Sequence, residues 1–199
     1  QNNITFPFKR YQIQPVWRAD RPQHGRFQEF FQCDADIIGN RSLWQEIETV
    51  LLYDDVFRRL NIKGIKIRIN HRKILFSLSL LFNISDRFIE FTNILDKIDK
   101  IGVDGVIKEF EIKKFPKKAT DKIKSLIKFS GTTLEKLKFI EKIFKGSNQD
   151  RSGLDDISFV LKHISKTKLK SSTIDFDFSL ARGLSYYTGM IIEVSPPTE

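Results

Sequence analysis

Residues 18–36 read Arg18-Ala-Asp-Arg-Pro-Gln-His-Gly-Arg-Phe-Gln-Glu-Phe-Phe-Gln-Cys-Asp-Ala-Asp36, and this stretch decides the fold. Just before it, residues 11–17 alternate apolar and polar side chains, which is the period of a half-buried strand. Pro22 and Gly25 then predict a loop, and the residues after the loop alternate again. The pattern therefore predicts two antiparallel strands joined by a loop.

In the second of these strands, polar side chains occupy alternate positions. If the strand is unbroken, Arg26, Gln32 and Asp36 point to the same face of the sheet. A strand buried on both faces would not carry several polar residues on one of them. That face is therefore either open to water, which is the ordinary interpretation for charged residues, or the lining of a polar pocket.

A second informative stretch lies near the C-terminus. Residues 174–180 alternate strictly and predict a strand. They lead into Ala-Arg182-Gly-Leu-Ser-Tyr-Tyr-Thr-Gly189 and then into a short apolar strand over residues 190–194. Gly183 and Gly189 would let the backbone turn tightly or approach a ligand closely. From the residues alone, a hairpin whose two tyrosines pack on the core is the simpler interpretation.

Both stretches resemble the histidyl-tRNA synthetases, which belong to class II of the aminoacyl-tRNA synthetases. The second class II signature motif is matched by Arg18, Asp20, Arg21-Pro22-Gln23, Gly25-Arg26-Phe27, Glu29-Phe30 and Gln32. Arg182, Tyr186 and Tyr187 are similar to the histidine-recognition motif of this family. Ser185 stands where the family usually has Asp, so a carboxylate beside the substrate loop is missing. A match of this length is far more specific than one short motif.

The resemblance implies a fold and a reaction. The implied fold is α+β: an antiparallel class II sheet with flanking helices, interrupted by an all-helical insertion. The implied reaction has two steps, in which ATP with Mg²⁺ and histidine give histidyl-adenylate, and the histidyl group then passes to tRNA(His). Because an imidazole both donates and accepts hydrogen bonds, a site built for it can reject other amino acids without an editing domain.

The resemblance also implies roles for individual side chains. Arg18 would contact the α-phosphate of ATP, and Arg26 would lie toward the β- and γ-phosphates. Arg182 would approach the α-phosphate and the histidine carboxylate. Arginine suits these positions because its planar fork binds two oxyanion oxygens and stays charged. The residues implied to bind histidine are Gln32 and Asp36 at the α-ammonium, Arg182, and Tyr186 and Tyr187 at the imidazole.

Composition and motif placement divide the 199 residues into three expected segments. Residues 1–82 would form a core segment with the second class II motif, residues 83–172 a helical insertion, and residues 173–199 the core segment with the histidine-recognition motif. The middle segment holds 20 Lys and Arg against 13 Asp and Glu, a net charge of +7 out of +9. This charge predicts either solvated helix faces or a surface for an RNA backbone, and the family's tRNA-contacting insertion slightly favours the second.

Several classes of protein are excluded by composition. No apolar run approaches the roughly 20 residues of a membrane span, and the N-terminus has no signal-peptide pattern. The single cysteine, Cys33, cannot form an internal disulfide, which suits the cytoplasm, and as a small strand residue it is expected to be packed. His24, His71 and His163 lie far apart in sequence, so no protein metal site is expected.

Parts of a synthetase are missing from the sequence, and two alternatives remain. We find no first or third class II motif and no anticodon-binding domain, so we expect a catalytic fragment that is inactive alone, from a protein expected to be a homodimer. One alternative is a non-catalytic relative such as the regulatory subunit of ATP phosphoribosyltransferase, but Arg182, Tyr186 and Tyr187 are retained. The other is a tRNA-sensing pseudo-synthetase domain fused to a kinase, against which the retained Arg18 and Arg26 argue.

Overall fold

The structure, a computed structural model, describes residues 4–183 and 188–197. It divides into two compact units, Gln1–Gln45 and Glu46–Glu199. The predicted segment boundaries after residues 82 and 172 are a finer division and stay a prediction. The two units are described separately below.

The first unit is a long β-hairpin. Its strands, β1 (Phe8–Trp17) and β2 (Glu29–Ile38), pair antiparallel over their whole length, which confirms the predicted hairpin. However, β2 begins three residues after Arg26, so the prediction that Arg26 shares a strand face with Gln32 and Asp36 is wrong. Arg26 instead closes a tight turn in which its backbone bonds reciprocally with that of Gln23. The turn needs the positive φ of 72° that Gly25 supplies.

The two faces of the hairpin differ in exposure. Tyr11, Trp17 and Phe31 on one face are 80%, 71% and 73% exposed. Cys33 lies on this same face and is exposed, so the prediction that it is packed is wrong. The opposite face of β2 is half-buried and carries mostly polar residues, namely Phe30, Gln32, Asp34 and Asp36. In the hairpin, Tyr11, Trp17 and Phe31 thus lie on the more exposed face, whereas Phe30 lies on the other.

A helix, a strand and a second helix come first in the second unit. Helix α1 (Trp44–Arg59) is followed by strand β3 (Ile65–His71) and helix α2 (Arg72–Leu81). Every regular element between residues 83 and 171 is helical. These are a 3₁₀ turn at Ser85–Arg87 and helices α3 (Phe88–Leu95), α4 (Ile98–Ile112), α5 (Lys117–Lys128), α6 (Thr133–Phe144) and α7 (Ser152–Thr167).

A three-stranded sheet brings the two ends of this unit together. Strands β4 (Ser172–Phe176) and β5 (Met190–Ser195) lie on either side of β3. The β3–β5 pair is antiparallel, as expected, whereas β3 and β4 are parallel, and the α+β class is confirmed. A parallel neighbour is possible because the helices between β3 and β4 supply the long crossover that parallel strands require.

Strand β4 is shorter than its alternation predicts. It ends at Phe176 rather than residue 180 because the carboxylate of Asp177 accepts hydrogen bonds from the backbone N–H and hydroxyl of Ser179. Such a side-chain turn competes with strand pairing. Phe178 and Leu180 nevertheless reach the core, at 4% and 3% exposure, which explains the apolar parity in the sequence.

A single apolar core joins the sheet to the helices of this unit. Ile67, Ile69 and Phe176 of the sheet are fully buried, as are Phe91 and Phe110 of α3 and α4. The sheet is therefore anchored in the core of this unit. Across the described helices, none is both long and apolar enough to cross a membrane.

A buried carboxylate fastens α1 to the start of β4. Asp54 accepts hydrogen bonds from the backbone N–H groups of Lys170, Ser171 and Ser172 and from both serine hydroxyls. Burial by itself would raise the pKa of Asp54, but these donors outweigh it and lower the pKa to about 2. The carboxylate is thus held ionised against the beginning of the strand.

Candidate active site

An acidic residue brings the two predicted phosphate-binding arginines together in the first unit. Asp20 accepts from Arg26 through one carboxylate oxygen (Nη2–Oδ1 2.9 Å) and lies 3.2 Å from Arg18 through the other (Nε–Oδ2). Arg18 also donates to the carbonyl oxygen of Phe27 at 3.0 Å, and its guanidinium lies over the Phe30 ring, 4.4 Å from the centroid. Two cations are therefore held side by side in the loop that connects the strands of the hairpin.

The two predicted ammonium-binding residues lie on the same face of β2, as their parity predicts. Gln32 donates its amide N–H to Asp34 at 2.7 Å, which leaves its carbonyl oxygen as an acceptor. Asp36 accepts from Arg10, its cross-strand partner, at 2.7 Å. Arg10 therefore fixes the orientation of the Asp36 carboxylate. Sequence reasoning missed this contact because cross-strand pairs follow from register, not from a local motif.

In the second unit, the junction of β3 and α2 holds the segment that contains Arg182. The side-chain amide of Asn70 donates to the carbonyl oxygens of Leu180 (2.9 Å) and Phe178 (3.3 Å). Arg72 donates from its guanidinium to the carbonyl oxygen of Arg182 and from its backbone N–H to that of Gly189 (3.0 Å). Both ends of the predicted histidine-recognition loop are thus bonded to one residue, Arg72.

The side chain of Arg72 is buried against an aromatic ring. It is only 7% exposed, and its guanidinium lies 4.8 Å from the centroid of the Phe88 ring. Burial lowers its pKa, but arginine is ordinarily so basic that the side chain stays charged. The predictions did not include Asn70 or Arg72. The signal that could have indicated them is a polar triplet, Asn-His-Arg, at the end of an otherwise apolar strand.

The predicted histidine-recognition loop lies partly outside the described residues. Tyr186 and Tyr187, and Ser185 in place of the usual Asp, belong to the part that the structure leaves out, so their assignments stay predictions. Gly183, at the start of this loop, packs closely against the side-chain oxygen of Asn93, where a Cβ atom would clash. The close neighbour of Gly183 is thus a side chain of the protein, and a close approach to a ligand stays a prediction.

The guanidinium of Arg182 is held by a carboxylate of the adjacent strand. Its Nη2 lies 2.7 Å from Oε2 of Glu193 on β5, and the two side chains are 45% and 30% exposed. Both line a cavity of about 250 Å³, together with Asp96 and Lys100. Arg182 therefore reaches a solvent-accessible concave surface while one end of its fork is fixed.

Arg68 joins this cavity to the start of the helical segment. Its Nε donates to Asp177 at 2.7 Å and its Nη1 to Asp99 at 2.8 Å. Burial would raise the pKa of Asp177, but the hydrogen bonds from Ser179 and the charge of Arg68 outweigh it and lower the pKa. The strand β3, the turn after β4 and the first turn of α4 are thus connected by one buried cation.

Comparison with known proteins decides the family. The family model described as histidyl-tRNA synthetase matches residues 3–197. The chain belongs to the histidyl-tRNA synthetase family. The histidine–tRNA ligase of Christiangramia forsetii is 49% identical over 197 residues, which are 99% of this chain and 43% of that protein. The crystal structure of histidyl-tRNA synthetase from Nostoc sp. PCC 7120 superposes with a TM-score of 0.82 at 32% identity, covering 98% of this chain and 45% of that one.

This member of the histidyl-tRNA synthetase family thus spans less than half the length of those relatives. The α+β class and the resemblance are confirmed. A more distant structural neighbour is the ATP phosphoribosyl transferase complex from Thermotoga maritima, whose TM-score of 0.64 at 16% identity shows a shared fold alone. The individual roles predicted for the arginines, Gln32 and Asp36 stay predictions.

Proposed function

We propose that this chain is part of a histidine–tRNA ligase, which activates histidine with ATP and transfers it to tRNA(His). The observation that carries the proposal is the retention, in a chain of this family, of Arg18, Arg26 and Arg182, each engaged by a carboxylate. A set of oriented cations is what the first step requires, because the histidine carboxylate must attack an anionic phosphate.

The arginines of the hairpin are proposed to bind ATP. Arg18 would contact the α-phosphate and Arg26 the β- and γ-phosphates. Their contacts with Asp20 are partly exposed, and such ion pairs are individually worth about 1 kcal/mol or less. Each guanidinium has five N–H donors, so phosphate oxygens can bind those that Asp20 does not occupy, while Asp20, the Phe30 ring and the Phe27 carbonyl keep Arg18 in place.

Histidine is proposed to bind through its ammonium and its ring. The carbonyl oxygen of Gln32 and the carboxylate of Asp36 would accept from the ammonium, with Arg10 holding Asp36. Arg182 would pair with the histidine carboxylate and the α-phosphate. Tyr186 and Tyr187 would contact the imidazole.

Magnesium is proposed to arrive on ATP, where it neutralises part of the phosphate charge. Within the described ranges, no group of three or more His, Cys, Asp or Glu residues could hold a metal ion of its own. The chain's own contribution in this step is to fix the cations around the reacting phosphate and to orient the attacking carboxylate.

The helical segment is proposed to contact tRNA. Residues 83–172, between the core segments 1–82 and 173–199, carry most of the chain's net positive charge. In α5, the lysines Lys117, Lys118, Lys122, Lys124 and Lys128 are exposed or half-exposed. Binding through phosphates would be salt-sensitive and independent of sequence.

We further propose that the whole protein is a cytoplasmic homodimer.

Histidine-dependent exchange of pyrophosphate into ATP tests the proposal, using the product of the complete open reading frame. We expect exchange that requires histidine and falls at least 100-fold in Arg182→Ala, since a positioned cation at the reacting phosphate is removed. Exchange that persists in Arg182→Ala would overturn the role of Arg182. Histidine binding without any exchange would favour the regulatory alternative, and efficient aminoacylation by the isolated 199 residues would contradict the expectation that they are inactive alone.

A further inference from the structure

In the ion pair between Arg182 and Glu193, one residue orients the other, because the backbones of the two residues are held to different degrees. Glu193 lies within β5, whose backbone is paired with β3 from Met190 to Ser195. Arg182 lies in an irregular segment between β4 and β5. The more rigid partner is therefore the carboxylate, and the guanidinium takes its orientation from it.

We propose that Glu193 is a positioning residue that orients the Arg182 guanidinium for histidine activation. This inference rests on the proposed function, since it assumes that Arg182 acts on the α-phosphate and the histidine carboxylate. Glu193 itself would not contact the phosphate, because a carboxylate beside that anion would repel it. Glu193 would contact the guanidinium on the side that faces away from the phosphate.

The sheet leaves Glu193 available for Arg182. The cross-strand partner of Glu193 on β3 is Arg68, the cation that would ordinarily pair with it. Arg68 is instead bonded to Asp177 and Asp99, at 2.7 and 2.8 Å. These two acids thus draw the guanidinium of Arg68 away, and the carboxylate of Glu193 bonds to Arg182 at 2.7 Å.

Two groups of Arg182 are consequently bonded to the protein, and the rest of its guanidinium can bind a ligand. Its carbonyl oxygen accepts from Arg72, and its Nη2 donates to Glu193. Among described residues, none accepts from its Nε or Nη1, and the side chain is 45% exposed. A guanidinium offers five N–H donors in a planar fork, so one edge can be held by the protein while another binds an oxyanion.

The test measures both rate and binding in the product of the complete open reading frame. Glu193→Gln keeps the shape of the side chain and removes its charge. We expect its rate constant for histidine-dependent pyrophosphate exchange to fall by roughly 10- to 100-fold, with the KM for ATP changed less than threefold, because misorientation costs rate more than binding. Glu90→Gln is the matched control, since it weakens an ion pair of similar exposure with Arg87, at 2.6 Å, in the helical segment.

A double-mutant cycle separates positioning from a general structural effect. The affinity for histidyl-sulfamoyl adenosine, a stable mimic of the adenylate, is measured by calorimetry in Glu193→Gln, Arg182→Ala and the double variant. We expect Glu193→Gln to weaken binding several-fold alone and less than twofold when Arg182 is already alanine. Equal losses in both backgrounds would overturn the positioning role.

The remaining outcomes are also decisive. Full exchange activity in Glu193→Gln, with an active unsubstituted protein, would overturn the role of Glu193 and leave the proposed function standing. No histidine-dependent exchange in the unsubstituted protein would overturn the proposed function, and the positioning role with it. Loss in Glu90→Gln equal to that in Glu193→Gln would show a general effect of losing an ion pair, and would likewise overturn the inference.

Discussion

The guanidinium of Arg72 donates a hydrogen bond to the carbonyl oxygen of Arg182, 110 residues further along the chain. The backbone N–H of the same arginine donates to Gly189. The six residues between Arg182 and Gly189 include both predicted histidine-binding tyrosines. One residue at the first turn of α2 therefore bonds to both ends of this segment, through its side chain at Arg182 and its backbone at Gly189.

Replacing Arg72 with methionine should impair histidine recognition. A hydrogen bond from a charged donor is worth roughly 1.5–3 kcal/mol, so its loss should raise the KM for histidine by about 10-fold or more. Steady-state pyrophosphate exchange at varied histidine concentration measures this. An unchanged KM would contradict the view that Arg72 orders the segment.

Arg87→Met is the matched control for this variant. Arg87 also donates to backbone carbonyl oxygens, including that of Lys113 at 2.8 Å, and its guanidinium lies over the Phe115 ring at 3.7 Å. It therefore makes the same kinds of contact within the helical segment. We expect Arg87→Met to lower the thermal unfolding temperature while leaving the histidine KM within about twofold of the unsubstituted value.

Replacing Asp20 with asparagine should affect ATP binding more than stability. The carboxylate contacts both Arg18 and Arg26, and without it the two guanidinium groups lose a common orientation. We expect the KM for ATP to rise about 5-fold, with a stability change below about 1 kcal/mol because the pairs are partly exposed. Asp55→Asn is the control, since Asp55 also pairs with two arginines, Arg58 and Arg59, on the exposed side of α1.

Replacing Asp54 with asparagine should destabilise the second unit in a pH-dependent way. Its folded pKa of about 2 lies below the ordinary value, so its contribution is fully present above about pH 4 and is lost as the pH falls toward 2. The shift corresponds to about 2 kcal/mol at neutral pH. Denaturant unfolding at pH 7 and at pH 3 should show the gap between variant and unsubstituted protein shrinking in acid, and a constant gap would count against this account.

Discrimination against phenylalanine should be strong without editing. A site that pairs both imidazole nitrogens leaves its own polar groups unsatisfied when a phenyl ring enters, which can discriminate by roughly 10⁴ or more. Pyrophosphate exchange driven by phenylalanine should therefore be at least that much weaker, as kcat/KM, than exchange driven by histidine. Appreciable exchange with phenylalanine would count against a histidine site.

The parts of this molecule that sequence predicts well are those set by neighbours along the chain. The hairpin follows from alternation on both sides of Pro22 and Gly25, and α1, β3 and α2 follow from periodicity. The parallel pairing of β3 with β4 was not predictable in this way, because the alternation of apolar and polar residues in a strand does not depend on the direction of its neighbour. The early end of β4 depends on one side-chain turn, at Asp177, which overrides an apolar pattern that continues beyond it.

The candidate site shows the same difference between local and long-range determinants. Local motifs indicated Arg18, Arg26 and Arg182, whose residue types carry the chemistry. Their partners are defined by three-dimensional contacts: Asp20 bridges two arginines, and Glu193 and Arg72 hold a third. Cross-strand register and a crossover of about 100 residues create most of these contacts, and neither leaves a short-range signal in the sequence.

The topology of the three-stranded sheet also sets an order of events during protein synthesis. Strand β3 leaves the ribosome early, but both of its hydrogen-bonded neighbours begin later, at Ser172 and Met190. Until then its two edges have no partner in the sheet, and unpaired edges invite aggregation. The helices α3 to α7 are built largely on local contacts and can form first. The pairing of β3 can therefore be completed only after the segment that carries Arg182 has been made.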